Sequence, residues 1–160
     1  MTEAQARPNG LRFRTILVPH DFSPSASKAL DYAMELADAD QGVIHLLHVT
    51  TSLSVVGPFE SALPLLMNRQ VRDDHLAAEA RLIELSAQSS VPVEVHVGFG
   101  APATIICQVA ARLGADLIVM GTHARPGVAG IFHGSAAVRT VRRAPCPVFT
   151  VRSHEERQRG

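Results

Sequence analysis

Val43-Ile44-His45-Leu46-Leu47-His48-Val49 is a run in which both alternating sets of residues are mainly apolar. A strand with one wet face alternates apolar with polar residues, whereas here neither set is polar. A strand covered on both faces belongs to a parallel sheet with helices above and below it. The two histidines interrupt that pattern, and nothing in the linear sequence clusters them with His96 as ligands. All three are expected to be structural, hydrogen-bonded or solvent-facing.

Working upstream, Ala26, Ala29, Leu30, Ala33, Met34 and Leu36 recur with helical spacing behind two candidate N-caps, Ser23 and Ser25. That helix is expected to stop near Asp40-Gln41-Gly42, with Gly42 as the terminator. Before it, residues 13–18 are a short β-branched run ended by Pro19, which predicts a first strand. Downstream, residues 50–63 are irregular, and a long helix is expected over about residues 65–89. Residues 91–97 alternate Val with Pro92, Glu94 and His96, the pattern of a half-exposed edge strand. Gly98-Phe99-Gly100 then turns into a helix over 102–113, with Pro102 at its start and Gly114 at its end. A strand over 116–120, a glycine-containing loop, a helix over 135–143 and a last strand over 147–151 complete the order.

Strands alternating with helices predict an open α/β sheet of parallel strands joined by right-handed crossovers. Ligands of such sheets sit beyond the carboxyl ends of the strands, where the strand order reverses. The segments of interest are therefore Pro19-His20-Asp21, Val49-Thr50, Gly98-Phe99-Gly100 and the stretch from Gly121.

Composition narrows the function classes. The chain has 160 residues, 46% hydrophobic and 19% charged, with no Trp, which suits one domain whose core is built from aliphatic residues. Fifteen basic residues cancel fifteen acidic ones, so no concentrated positive face is expected and no nucleic-acid partner is predicted. Residues 1–8 contain no apolar h-region, and no apolar run approaches the roughly 20 residues of a membrane span, so neither a signal peptide nor a membrane partner is expected. Cys107 and Cys146 have no CxxC or metal-ligand spacing and read as buried reduced thiols of a cytosolic protein.

The strongest chemical candidate is Gly121-Thr122-His123-Ala124-Arg125-Pro126-Gly127, followed by Gly134-Ser135 at the opening of a helix. Glycines let backbone N–H groups converge on an anion, and a helix start adds roughly half a positive charge. The same residues also read as a plain strand-to-helix connection capped by Ser135. Asp21 is placed to accept hydrogen bonds from an adenine amino group or ribose hydroxyls, although taken alone it reads first as a cap of the next helix. His123 and His133 flank the loop within reach of a triphosphate, and no metal-ligand set is evident. Arg139, Arg142 and Arg143 share one helix face and read as a solvated face favoured by the helix dipole. Neither G-x-G-x-x-G after the first strand, nor G-x-x-x-x-G-K-S/T, nor G-x-S-x-G occurs, which excludes the dinucleotide, Walker and hydrolase-elbow readings.

Thr15-Ile16-Leu17-Val18-Pro19-His20-Asp21-Phe22-Ser23, His48-Val49, Gly121-Thr122-His123, Gly134-Ser135 and Arg142-Arg143-Ala144-Pro145-Cys146-Pro147-Val148 together closely resemble the universal stress protein family. The resemblance implies a five-stranded, Rossmann-like parallel sheet in the order 3-2-1-4-5 with helices on both faces. It divides the chain into an N-terminal arm (1–13), the family domain (14–152) and a charged tail (153–160). It further implies a cytoplasmic regulatory protein of the stress response that binds rather than turns over ATP, with or without Mg2+, and forms a homodimer through its last strand.

By the same resemblance Pro19, Asp21 and Val49 line an adenosine pocket beside Met120. The ATP-binding pattern G-x-x-G-x9-G-S/T maps onto Gly121, Ala124, Gly134 and Ser135. Ala124 departs from it. A left-handed backbone there costs an L-residue about 1–2 kcal/mol, which weakens binding rather than abolishing it. Some members lack the pattern and bind no ATP, so a dimeric interaction module without nucleotide is the alternative.

Overall fold

The computed structural model describes Gly10 and residues 12–51, 63–122 and 136–152. Along these, β1 (Thr15–Pro19), α1 (Pro24–Asp40), β2 (Val43–Thr50), α2 (Leu63–Ser86), β3 (Val93–Phe99), α3 (Pro102–Leu113), β4 (Leu117–Gly121), α4 (Ala136–Arg143) and β5 (Val148–Val151) alternate. The strands form one sheet in the order β3-β2-β1-β4-β5, every neighbouring pair parallel, as expected. Most of the N-terminal arm, the irregular stretch 52–62 and the tail from Ser153 lie outside the described residues.

Successive residues of each strand serve opposite layers, because strand side chains alternate across the sheet. Ile16, Val18, Ile44, Leu46, Leu117 and Val119 pack with Ala29, Ala33 and Leu82 beneath α1 and α2. Leu17, Leu47, Ile118 and Met120 pack with Ile106, Val109 and Ala137 beneath α3 and α4. The continuous apolar run of β2 thus feeds two cores. Residues Ile44 to Leu47 are all buried.

Local signals set most boundaries. Ser23 caps α1, its Oγ accepting from the Ala26 N–H at 3.2 Å, and Pro24 occupies the first turn. Gly114, at φ 62°, ends α3 in the left-handed conformation that glycine adopts without penalty. The stop of α1 differs from expectation: Gln41, not Gly42, takes the left-handed cap at φ 53°. Gly42 has a different role, since a Cβ there would stand 2.6 Å from the Phe13 carbonyl oxygen. The third strand also begins two residues later than expected. Its pairing with β2 runs from Ile44 opposite Val93 to Thr50 opposite Phe99, and that ladder carries the strand through the glycine signal at Gly98. A Cβ on Gly98 would lie 2.6 Å from Ile105 Cγ2, so this glycine admits α3 close to the sheet. As an outer strand, β3 is half-exposed, as its sequence pattern predicts.

Candidate functional site

From β1 the chain crosses to β2 on one side, while β4 lies on the other, so strand order reverses between β1 and β4. At the carboxyl ends of these two strands lies a cavity of about 100 Å³ lined by Pro19, Asp21, Ala26, Met120, Gly121, Thr122, Ala136 and Ala137. Four residues singled out from sequence, Pro19, Asp21, Met120 and Gly121, therefore share one crevice. Val49 stands on the same face of the sheet, half-buried against the α3 core, and is not among the described lining residues. His123, Ala124, Gly134 and Ser135 lie outside the described residues, as does His133.

Each wall of the crevice has a local cause. Pro19 ends β1 buried, and Met120, 5% exposed, ends the buried part of β4. Ala136 and Ala137 open α4, so the amino end of that helix faces the cavity with the partial positive charge of its dipole. Gly121 is fixed by packing as well as by any ligand. A Cβ there would stand 2.6 Å from both the Ala26 nitrogen and the Ser25 carbonyl carbon, so only glycine lets β4 end against the start of α1.

Asp21 does not cap α1 itself. Its Oδ1 accepts from the Ser23 N–H at 3.1 Å and from the Ser23 hydroxyl, and Ser23 is the cap. The carboxylate is thereby pinned at the exposed mouth of the crevice. The residues on either side of it point to the α2 side of the sheet. His20 is 3% exposed, its Nδ1 accepting from the Phe22 N–H at 3.1 Å, so the ring proton sits on Nε2, which has no partner among the described residues. Burial, reinforced by His48 and Arg81 against the opposing pull of Asp21, lowers its pKa to about 4. Phe22 holds a left-handed φ of 63°, a conformation costing a non-glycine residue about 1–2 kcal/mol. Its ring is clamped by the Arg81 guanidinium, 3.7 Å from the centroid, and by the His48 ring at 4.7 Å. His48 Nδ1 in turn donates to the His20 carbonyl at 2.7 Å. Sequence reasoning missed this clamp, because its members come from the connection between β1 and α1, from β2 and from α2.

The expectation that the strand histidines stand unclustered is corrected for two of them. Parallel register sets His45 opposite Glu94 and Leu47 opposite His96, bringing His45 Nδ1 to 3.0 Å from His96 Nε2 and 3.4 Å from Glu94 Oε2. The signal that would have found them is the alternation of His45 with Leu47 beside that of Glu94 with His96. A second hollow, about 500 Å³, lies between β3 and α3, away from the point where strand order reverses, and His96 lines it. The cysteines are half-buried rather than buried. Both are free thiols whose pKa is raised by desolvation, with Asp116 also pushing Cys146 up and Arg143 acting against the rise at Cys107. Arg139, Arg142 and Arg143 are exposed, as expected of a solvated face.

Among the described residues, no helix is long and apolar enough to cross a membrane. Fold and crevice together define an open α/β protein with a crevice at its topological switch point, the place where ligands of such sheets sit. The model of the universal stress protein family matches residues 12–152, and the chain belongs to that family. A universal stress protein from Thermus aquaticus is 35% identical over 144 residues, 88% of this chain and 99% of the relative. The solved universal stress protein UspA of Lactobacillus plantarum aligns with a TM-score of 0.73 at 25% identity, covering 88% of this chain and 99% of its own. A family protein of Arabidopsis thaliana, solved with AMP bound, aligns with a TM-score of 0.60 at 22% identity over 89% of this chain and 94% of its own, a likeness of fold.

Proposed function

We propose that this protein is a cytoplasmic regulatory protein that binds an adenine nucleotide, ATP with Mg2+, in the crevice between β1 and β4, and transmits its occupancy rather than catalysing turnover. The observation that carries the reading is the convergence of Pro19, Asp21, Met120 and Gly121 on one cavity at the switch point. Its apolar walls suit the faces of an adenine ring, and the Asp21 carboxylate suits its amino group or the ribose hydroxyls. The amino end of α4 favours negative charge, which suits phosphates carried by the loop through Ala124, Gly134 and Ser135. AMP on the same fold in the Arabidopsis protein is in keeping with this reading. Homodimerisation through β5 belongs to the same proposal. That strand is the outer edge of the sheet, with Phe149 exposed, and an unpaired edge is otherwise open to uncontrolled pairing.

A second reading rests on Ala124, which stands where the nucleotide pattern has glycine. In that reading the protein is a dimeric interaction module without nucleotide. Thermal unfolding separates the two, because a ligand that binds only the native state stabilises it by RT ln(1 + [L]/Kd), about 2.7 kcal/mol at a hundred times Kd. Millimolar ATP with Mg2+ is expected to raise the Tm clearly. An unchanged Tm in a protein that remains dimeric would establish the second reading instead.

A further inference from the structure

The side chains of His45 on β2 and of Glu94 and His96 on β3 offer one ligand atom each, all within 4.8 Å of one another. Two of the separations are 3.0 Å, between His45 Nδ1 and His96 Nε2, and 3.4 Å, between His45 Nδ1 and Glu94 Oε2. An ion bonded to nitrogen or oxygen at about 2.1 Å sets neighbouring ligand atoms about 3.0 Å apart in octahedral and about 3.4 Å apart in tetrahedral geometry. In the metal-free chain the shorter separation is a hydrogen bond between the two rings, and both separations are compatible with the edges of a coordination polyhedron. The donor set has the same character: two imidazoles and a carboxylate suit zinc and its first-row neighbours, whereas calcium and magnesium take oxygen ligands.

The geometry points to a divalent transition-metal site on β2 and β3, in which His45 Nδ1, His96 Nε2 and Glu94 Oε2 hold one ion of the zinc type and water fills the open positions. His45 is the anchor, nine-tenths buried, with its ring fixed beneath the sheet face that α3 covers. Glu94 is largely exposed and His96 half-exposed, which gives an ion access from solvent. Burial and the neighbouring His45 hold the His96 pKa below its ordinary value, with Glu94 pulling the other way. Arg112 on α3 is the opposing cation. It also lowers the His96 pKa and lines the adjacent hollow with Gln108, so affinity depends on Glu94 supplying negative charge. A bound ion ties the outer strand to β2 through side chains, in addition to the backbone ladder.

The test is uptake of Zn2+ by the untagged, metal-free full chain without nucleotide, measured by equilibrium dialysis with elemental analysis, alongside Tm. The chain has eight histidines, so variants rather than stoichiometry alone must locate the ion. Wild type is expected to take up one tightly held ion per chain from micromolar Zn2+, with a rise in Tm. His96→Ala and Glu94→Ala, both at positions with solvent access, are each expected to retain their circular dichroism. Each is expected to weaken Zn2+ by at least about tenfold and to lose the Tm rise. Undiminished affinity in either variant, or no uptake by wild type, would overturn the site.

Discussion

The crevice between β1 and β4 and the side-chain trio on β2 and β3 are two features of one sheet, reached by different kinds of information. The crevice is assembled from residues at strand ends, Pro19, Asp21, Met120 and Gly121, which any chain of this strand order brings together. The trio is assembled by register alone, since only the pairing of His45 with Glu94 sets His96 beside them. A one-residue slip of β3 would turn Glu94 and His96 to the opposite face. Topology therefore places the proposed nucleotide position, and register places the proposed metal position. The first tolerates small shifts of a strand, and the second tolerates none.

The largest expected effect lies where the crevice and the packing of α1 meet. Gly121→Ala drives a methyl group into the backbone of Ser25 and Ala26, and overpacking of this kind costs about 3 kcal/mol. Urea unfolding is expected to show that loss without nucleotide present. A variant as stable as wild type that had lost only its ATP affinity would show that Gly121 serves the ligand alone.

The next effect belongs to His20, buried beside the clamp behind the crevice. His20 has a folded pKa of about 4 against 6.5 for the ordinary ring, so between these values the unfolded chain binds a proton that the native protein does not. Stability from this group is intact above pH 6.5 and falls as pH drops toward 4, by on the order of 3 kcal/mol. His20→Asn retains an acceptor for the Phe22 N–H and removes the titration. The variant is expected to lose less stability than wild type between those pH values in urea titrations. Parallel curves would place the acid sensitivity in other groups.

The order of elements and the edge character of β3 were legible in the sequence, because apolar periodicity and caps are local. Strand ends pointed to Pro19, Asp21 and Gly121, whereas Met120 came only from the family resemblance. What was not legible is non-local. The left-handed cap at Gln41 follows from the close approach of Gly42 to Phe13, which no local rule contains. The start of β3 at Val93 and its continuation through the turn signal at Gly98 follow from its ladder with β2. The Phe22 clamp needs Arg81 from α2 and His48 from β2. Histidines 51 residues apart in sequence, His45 and His96, became neighbours only once the register was known.

The central claim, that the crevice holds the adenosine end of a nucleotide, is tested most directly at Asp21. Asp21→Asn keeps an oxygen for the Ser23 N–H while replacing the other carboxylate oxygen by a donor, so the start of α1 is preserved. Calorimetric titrations of ATP and of inorganic triphosphate into wild type and this variant separate the two ends of the ligand. Wild type is expected to bind one ATP per chain. The variant is expected to bind ATP about tenfold more weakly, a loss of about 1.4 kcal/mol, with triphosphate unaffected. Equal losses for both ligands, or a flat titration of wild type with ATP, would contradict the claim.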